Sequence, residues 1–350
     1  MSFTNLTSTR RPRVLALGKP EYVGDDYLAA FSNEFDYSVL SATNRQEVLE
    51  MLPECIRKDG PVDAFVIRMG TPPYEPFDEK LLSSLVPDCK IIVSASAGYN
   101  EFDIKWMAQK GIWFCNTIDA VAEATADMTI FLILAVLRNT TNAERSVRGG
   151  TWKQSPGLVP ARDPCGLTLG IVGLGSVGKY VARKAAVFGM NIIYYNRHQL
   201  RADVEERYKV SYSGSLHQLL NVSDIVSINC PLTEHTKGLI GPREFSAMKD
   251  GVFLVNTARG PVVNETSLID CLESGKVIRA GLDVFQDEPD INPYFRKSDR
   301  VIVQPHLGGL TDMAFKRAER ECFENIRAFF QKGKPNSPVV DLSKEGLSET

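Results

Sequence analysis

Three residues of the C-terminal half carry the chemistry of a proton-transfer and anion-binding site. Arg259 stands in Val255-Asn-Thr-Ala-Arg-Gly260, Glu288 in Asp283-Val-Phe-Gln-Asp-Glu-Pro289, and His306 in Gln304-Pro-His-Leu-Gly-Gly309. A guanidinium clamps a carboxylate or ketone oxygen, an imidazole passes a proton, and a carboxylate orients the imidazole and stabilises its charged form. Each of the three follows an apolar run that reads as a buried strand. Carboxyl ends of adjacent strands in an open sheet converge on one crevice, so the three can meet there. An isolated His is more often structural than catalytic, but an Arg and a Glu at neighbouring strand ends reverse that weighting. Of the other His residues, 217 and 235 lie in polar contexts and are expected to face solvent. No metal-ligand spacing is present.

The stretch that positions this set is Leu167 to Arg197. It reads as a strand (169–172), the turn Gly173-Leu174-Gly175-Ser176-Val177-Gly178, an amphipathic helix (179–188) and a second strand (191–195). Gly-x-Gly-x-x-Gly alone is weak, but between an apolar strand and a helix it is specific. The first glycine allows the tight turn, the second lets a pyrophosphate approach the backbone, and the third lets helix and strand pack closely. The free N–H groups of the first helical turn then meet phosphate oxygens, aided by the helix dipole. This is a dinucleotide site. An NAD-preferring turn carries Asp or Glu about 20 residues on, to hold the ribose hydroxyls. Here Tyr195-Asn196-Arg197-His198 offers no acid, and Arg197 suits a 2′-phosphate. NADP is therefore the expected coenzyme and NAD the alternative, with Asn196 serving the ribose in that case.

At 350 residues the chain exceeds one ordinary core, and two domains are expected. Strand patterns alternate with helix patterns from residue 13 to 115 and again from 169 to 304, which argues for parallel sheets covered on both faces. The fold class is α/β: two doubly wound parallel-sheet domains, a Rossmann nucleotide-binding domain (121–309) inserted into a flavodoxin-like substrate domain (1–120 and 310–350). Residues 1–11 are polar and expected to be loose, and Pro156 to Pro164 forms a Pro/Gly-rich connector. The helix from Ala120 to Arg138 is apolar on nearly every side, so it must be buried between domains or subunits. A homodimer through this helix is expected.

Composition narrows the partners. A net charge of −3 implies no general nucleic-acid or anionic-membrane role. Seven scattered Cys without a Cys-x-x-Cys pair fit reduced thiols better than disulfides or zinc. The most apolar stretch, Met128 to Leu137, is flanked by Asp127 and Arg138, and no segment is expected to reach the apolar length needed to span a bilayer. The N-terminus runs into a strand without a leader pattern, and the C-terminus is not a peroxisomal address, so the cytoplasm is expected. Glu205-Glu206 reads as a solvated helix face.

In combination these motifs resemble the D-isomer-specific 2-hydroxyacid dehydrogenase family over roughly residues 60–335. The glycine turn, Asn256-Thr-Ala-Arg-Gly260, Gly281-Leu-Asp-Val-Phe-Gln-Asp-Glu-Pro289 and Pro305-His-Leu-Gly-Gly309 stand in that family's order. The resemblance implies that Ala97, Gly98 and Tyr99, in Ser96-Ala-Gly-Tyr-Asn100, hold the substrate carboxylate through backbone N–H groups. Arg68 and Met69, at a strand end where open sheets place ligands, are candidates for the substrate side. The resemblance also implies that Thr125, Cys230, Pro231, Thr236, Thr257, Ala258, Asp283 and Gly308 border the coenzyme, Asp283 near the carboxamide. Two departures are Asn196-Arg197 in place of the usual acid and Ala95-Ser-Ala97 where glycine is commoner. Trp152 resembles an aromatic that reaches a partner subunit's pocket in some relatives; a packing or surface role fits it equally.

The implied activity is reduction of 2-keto acids to D-2-hydroxy acids with His306 as the general acid and base. A small-molecule keto or hydroxy acid is the expected partner. The alternatives are an NADH-preferring member with an aryl 2-keto acid substrate, or a nucleotide-sensing protein like the co-repressors called C-terminal binding proteins, which keep the same three residues; the absence of a long disordered tail favours the enzyme. A formate-oxidising branch is disfavoured, because it resembles this one but pairs its His with Gln.

Overall fold

Short, continuously apolar runs bounded by Gly, Pro or Asp become the strands of two parallel sheets, and the amphipathic stretches between them become the covering helices. The structure is a computed structural model describing residues 10–154 and 161–343; the expectations for residues 1–9 and for the 156–160 part of the connector lie outside it. The chain runs β1 (Arg13–Leu17), α1 (Asp25–Glu34), β2 (Asp36–Leu40), α2 (Arg45–Asp59), β3 (Ala64–Ile67), α3 (Glu79–Leu82), β4 (Ile91–Ser94), α4 (Ile104–Gln109), β5 (Trp113–Cys115), α5 (Ile118–Arg138) and α6 (Thr140–Arg148). It continues with β6 (Thr168–Val172), α7 (Ser176–Val187), β7 (Asn191–Tyr195), α8 (Ala202–Tyr208), β8 (Ser211–Tyr212), α9 (Leu216–Val222), β9 (Ile225–Ile228), α10 (Pro242–Ala247) and β10 (Val252–Asn256). It ends with α11 (Glu265–Ser274), β11 (Val277–Leu282), α12 (Pro293–Lys297), β12 (Val301–Val303), α13 (Asp312–Lys332) and β13 (Pro338–Val340).

The chain divides into two units, Met1–Val121 with Thr311–Thr350, and Ala122–Leu310. The first unit holds a six-stranded sheet in the order β13-β5-β4-β3-β1-β2. Its five parallel strands follow the flavodoxin-like order 2-1-3-4-5, and β13 adds an antiparallel edge on β5. Its core gathers Leu15, Phe65, Ile92 and Phe114 from the strands and Val48, Leu52 and Met107 from the helices. α13 is capped by Thr311, whose hydroxyl accepts the Ala314 N–H at 3.2 Å. It carries the buried Glu319, whose carboxylate takes the N–H groups of Glu21, Tyr22 and Val23 at 2.7 to 3.0 Å and fixes the loop after β1.

The second unit holds a seven-stranded, wholly parallel sheet in the order β12-β11-β10-β9-β6-β7-β8. The order reverses between β9 and β6, which is where an open α/β sheet leaves its ligand crevice. Alternation sorts the strands' side chains: Leu169, Ile171, Ile225, Phe253 and Val255 pack with α5 and α7 on one face, and Val226, Ile228, Leu254 and Ala280 pack with α9 to α11 on the other.

Two expectations need correction. α5, 21 residues long, is long and apolar enough to cross a membrane by length and composition alone. Its burial explains that content, since Leu132, Ile133, Val136 and Leu137 are core residues of the second unit. Glu205 does not lie on a merely solvated face: its carboxylate accepts the hydroxyl of the buried Tyr194 at 2.6 Å, and burial with this bond pushes the Tyr194 phenol up to about 12.

Candidate active site

The glycine turn divides its labour among three positions. Gly173 has φ +100°, and a Cβ there would stand 2.8 Å from the Cys230 nitrogen, so the turn is tight and lies against the end of β9. A Cβ on Gly178 would stand 2.4 Å from the Gly173 oxygen, so α7 can start this close to β6 only without a side chain. Gly175 is exposed and a Cβ there would meet nothing within 4 Å. That open position, at the N-cap of α7, is the cradle a pyrophosphate requires, and a side chain would fill it. Ser176, Val177 and Gly178 form the first turn of the helix, and Leu174 is buried beneath it. The residues present fit a dinucleotide.

After β7, Asn196 turns its side chain inward, and its Oδ1 accepts the Leu174 N–H at 2.7 Å. Arg197 and His198 are exposed, and among the described residues Arg197 forms no ion pair. Asn196 thus braces the turn, and Arg197 beside it is left exposed. On the other side of the reversal, Thr236 folds the 231–236 loop, its hydroxyl bonding the Pro231 carbonyl at 2.6 Å and the Thr233 N–H at 2.7 Å. Burial pushes the Cys230 thiol up to about 11, so it stays protonated and non-nucleophilic at neutral pH.

At the end of β10 the buried Asn256 shapes the turn that presents Arg259. Its Oδ1 accepts the Ala258 N–H and its Nδ2 donates to the Arg259 carbonyl, both at 3.0 Å. Thr257 bonds Thr129 of α5, hydroxyl to hydroxyl, at 2.7 Å within the protein. Gly260 then lets the β11 loop approach, since a Cβ there would stand 1.9 Å from the Phe285 carbonyl carbon. Glu265 holds the same loop by accepting the Gln286 N–H at 2.7 Å.

Asp283, at the end of β11, is buried and organises the histidine turn. Its two carboxylate oxygens accept the Leu307 and Gly308 N–H groups at 2.8 Å each, and its carbonyl accepts the His306 N–H at 2.8 Å. Burial raises the Asp283 carboxyl above its ordinary value, opposed by those two N–H bonds and the His306 charge. Gly308 has no room for a side chain: a Cβ would lie 2.8 Å from Asp283 Oδ2 and 3.3 Å from Thr125 of α5. His306 itself takes the left-handed backbone region, φ 56°, rare for a residue with a side chain.

The outcome is a pair. His306 Nδ1 lies 2.8 Å from Glu288 Oε2, and Glu288 Oε1 accepts the Phe285 N–H at 2.8 Å. Burial alone would raise the Glu288 carboxyl; the His306 bond and charge, the Phe285 N–H and the Arg259 charge outweigh it and hold it below its ordinary value. An ionised Glu288 accepts, so Nδ1 carries hydrogen and Nε2 is the nitrogen left to give or take a proton. Arg259, at the end of β10, is half-buried, and its charge reaches Glu288.

In the first unit, Met69 follows β3, and Ala97, Gly98 and Tyr99 follow β4. Their loop is braced by Ser96, whose hydroxyl bonds the Gly98 carbonyl at 2.9 Å, and by Asn116, whose Nδ2 bonds the Ala97 carbonyl at 2.6 Å. Among the described residues the backbone N–H groups of Ala97, Gly98 and Tyr99 have no hydrogen-bond partner. Three successive donors without a partner are groups that an anion could take.

The sequence reading missed the positioning residues Asn256, Gly260, Glu265 and Thr129. Only Asn256 carried a signal, as an Asx residue at a strand end. Trp152 is exposed, with φ 52°, and His217 and His235 are exposed.

The model for the NAD-binding domain of D-isomer-specific 2-hydroxyacid dehydrogenases matches residues 130–308. The chain is 57% identical to the dehydrogenase efuE of Hormonema carpetanum over 334 residues, 95% of this chain and 83% of that protein. Among solved structures it is similar to a glyoxylate reductase from Paecilomyes thermophila, with a TM-score of 0.87 and 35% identity over 94% of this chain and 98% of that one. The holo form of D-mandelate dehydrogenase from Rhodotorula graminis gives a TM-score of 0.86 and 33% identity over 95% of this chain and 98% of that one.

Proposed function

Because this chain belongs to the D-isomer-specific 2-hydroxyacid dehydrogenase family, we propose that it reduces 2-keto acids to D-2-hydroxy acids, with NADPH preferred and His306 as the acid. The observation that carries the reading is the 2.8 Å pair of His306 Nδ1 and Glu288 Oε2, beside Arg259, at the ends of adjacent strands. When bound, the reduced nicotinamide supplies the hydride for the carbonyl carbon. Protonated His306 gives its Nε2 proton to the developing alkoxide, while ionised Glu288 stabilises the imidazolium beforehand and fixes the ring. Arg259 orients the carboxylate and carbonyl, and its charge favours oxygen as it becomes negative. The resemblance assigns the substrate carboxylate to the backbone N–H groups of Ala97, Gly98 and Tyr99.

NADPH preference rests on Arg197, exposed and without an ion-pair partner among the described residues, where an acid would hold the ribose of NADH. Thr125, Thr257, Ala258, Asp283, Gly308 and Cys230 stand at or beside the β9 to β12 ends and border the nicotinamide half.

The test is a turnover panel of glyoxylate, hydroxypyruvate, 4-methyl-2-oxopentanoate and phenylglyoxylate, each with NADPH and NADH. His306→Ala and Arg259→Ala are each expected to lower kcat/KM by about 10²-fold or more, the range for acid–base groups and charged clamps. Near-normal turnover in either variant overturns the assignment, and a chain that binds NADPH but reduces none of these acids is a binding module instead.

A further inference from the structure

Asn229 follows β9 at the reversal of strand order, and its backbone lies against the glycine turn. A Cβ on Gly173 would stand 2.9 Å from the Asn229 carbonyl carbon, and the Asn229 N–H donates to the Val172 carbonyl at 2.8 Å. Alternation along β9 puts Ser227 and Asn229 on the face of Ile225, which packs with α5 and α7. Thr257 after β10 and Asp283 after β11 share that face, the first bonded to Thr129 of α5 and the second beside Gly308, which adjoins Thr125 of α5. Three polar side chains therefore stand in a row at the carboxyl ends of three adjacent strands.

Two of the three are used inside the protein, Thr257 by Thr129 and Asp283 by the Leu307 and Gly308 N–H groups. Asn229 is used by half. Its Oδ1 accepts the Ser227 hydroxyl at 2.8 Å, whereas its Nδ2 is buried without a hydrogen-bond partner among the described residues. A buried donor without an acceptor has given up water for nothing, and such atoms are rare in folded chains. Beside a ligand crevice, the partner is a group that arrives with the ligand.

The strand order says which part of the ligand. The glycine turn and the Arg197 position belong to the β6-β7-β8 half of the sheet, which takes the adenosine side of a dinucleotide. The β9-β10-β11 half takes the nicotinamide side. We propose that Asn229 Nδ2 donates a hydrogen bond to an acceptor oxygen of the nicotinamide-ribose half of the coenzyme, and so helps hold that half against the row of Asn229, Thr257 and Asp283. This inference rests on the coenzyme reading above.

Equilibrium binding to the full chain, followed by protein fluorescence, tests it without turnover. Two ligands are compared: NADPH, and 2′,5′-ADP, which lacks the nicotinamide ribose. Ser227→Ala removes the internal bond and keeps the donor; the double variant S227A/N229A removes both, and N229A alone is a second route if the double variant does not fold. The double variant is expected to bind NADPH about five- to tenfold more weakly than S227A, the worth of one hydrogen bond, and to bind 2′,5′-ADP unchanged. Its coenzyme-free melting midpoint is expected to be no lower than that of S227A, because the amide removed had no partner. Equal NADPH affinities in S227A and the double variant, or parallel weakening of 2′,5′-ADP, overturn the inference. If the unaltered chain binds neither NADPH nor NADH, the coenzyme reading falls first and the inference with it.

Discussion

Gly260 and Phe285 come so close that a methyl group on the glycine would stand 1.9 Å from the Phe285 carbonyl carbon and 2.0 Å from its oxygen. The two residues belong to the loops that carry Arg259 and Glu288, and the missing side chain lets those loops touch. Gly260→Ala must push the 285–286 backbone away, and Phe285 N–H is the donor that anchors Glu288 Oε1. A misplacement of about 1 Å costs about 10²-fold in rate, and overpacking costs about 1–3 kcal/mol. The variant is expected to fold with a lowered Tm and to lose about 10²-fold in kcat/KM for the 2-keto acid it reduces. Unchanged kinetics would mean that the contact does not position Glu288.

Glu288→Gln probes the pair from the carboxylate side. The folded-state carboxyl is held below its ordinary value, chiefly by His306 against the opposing effect of burial. A depressed carboxyl stabilises the folded chain in its ionised form. Its contribution is complete above the ordinary value of 4.5 and is lost as pH falls through the lower folded value. Urea midpoints of the wild type are therefore expected to fall more steeply on acidification below 4.5 than those of the Gln variant. Parallel curves would show that the carboxylate does not gain from the fold. Turnover at neutral pH should drop by roughly 10²-fold or more, since the imidazolium loses its partner.

How far the sequence reaches is clearest at these two positions. His306, Glu288 and Arg259 were legible because each follows a strand, and strand ends in an open sheet converge by topology alone. The three glycines of the 173–178 turn were legible for the same reason: strand, turn and helix are local in the chain. Gly260 was not, because its constraint comes from a backbone segment 25 positions away in the chain, and no local pattern records a steric need of that range. Asn229 was missed likewise, since an unpartnered amide is visible only once every neighbour is placed. A short polar element such as α12, of five residues, carries too little periodicity to read. The bond from the Leu174 N–H to Asn196 Oδ1 was equally out of reach, since it joins residues 22 positions apart across the turn.

Arg197→Asp tests the coenzyme preference. An exposed guanidinium without an ion-pair partner among the described residues can bond a 2′-phosphate, and a carboxylate in its place repels that group and accepts ribose hydroxyls. The ratio of kcat/KM for NADPH over NADH is expected to fall by about 10- to 100-fold, the worth of a charge-assisted hydrogen bond. Because the side chain is exposed, Tm should move little. A ratio that stays fixed would place the preference elsewhere.

Phe131 tests the expectation of a dimer. It lies on α5, whose neighbouring Leu132, Ile133, Ala135 and Val136 are buried, yet half of its own surface is exposed. A single exposed aromatic is ordinary, but this one extends an apolar helix with Met128 and Leu134 only partly covered. If a second copy covers that face, sedimentation at micromolar concentration should give twice the chain mass of 38.8 kDa. Phe131→Asp should then return the single-chain mass, since a dimer would have to bury the new charge without a partner, while the isolated chain keeps it in water and its Tm. A wild type that sediments as one chain would leave Phe131 as an ordinary exposed aromatic.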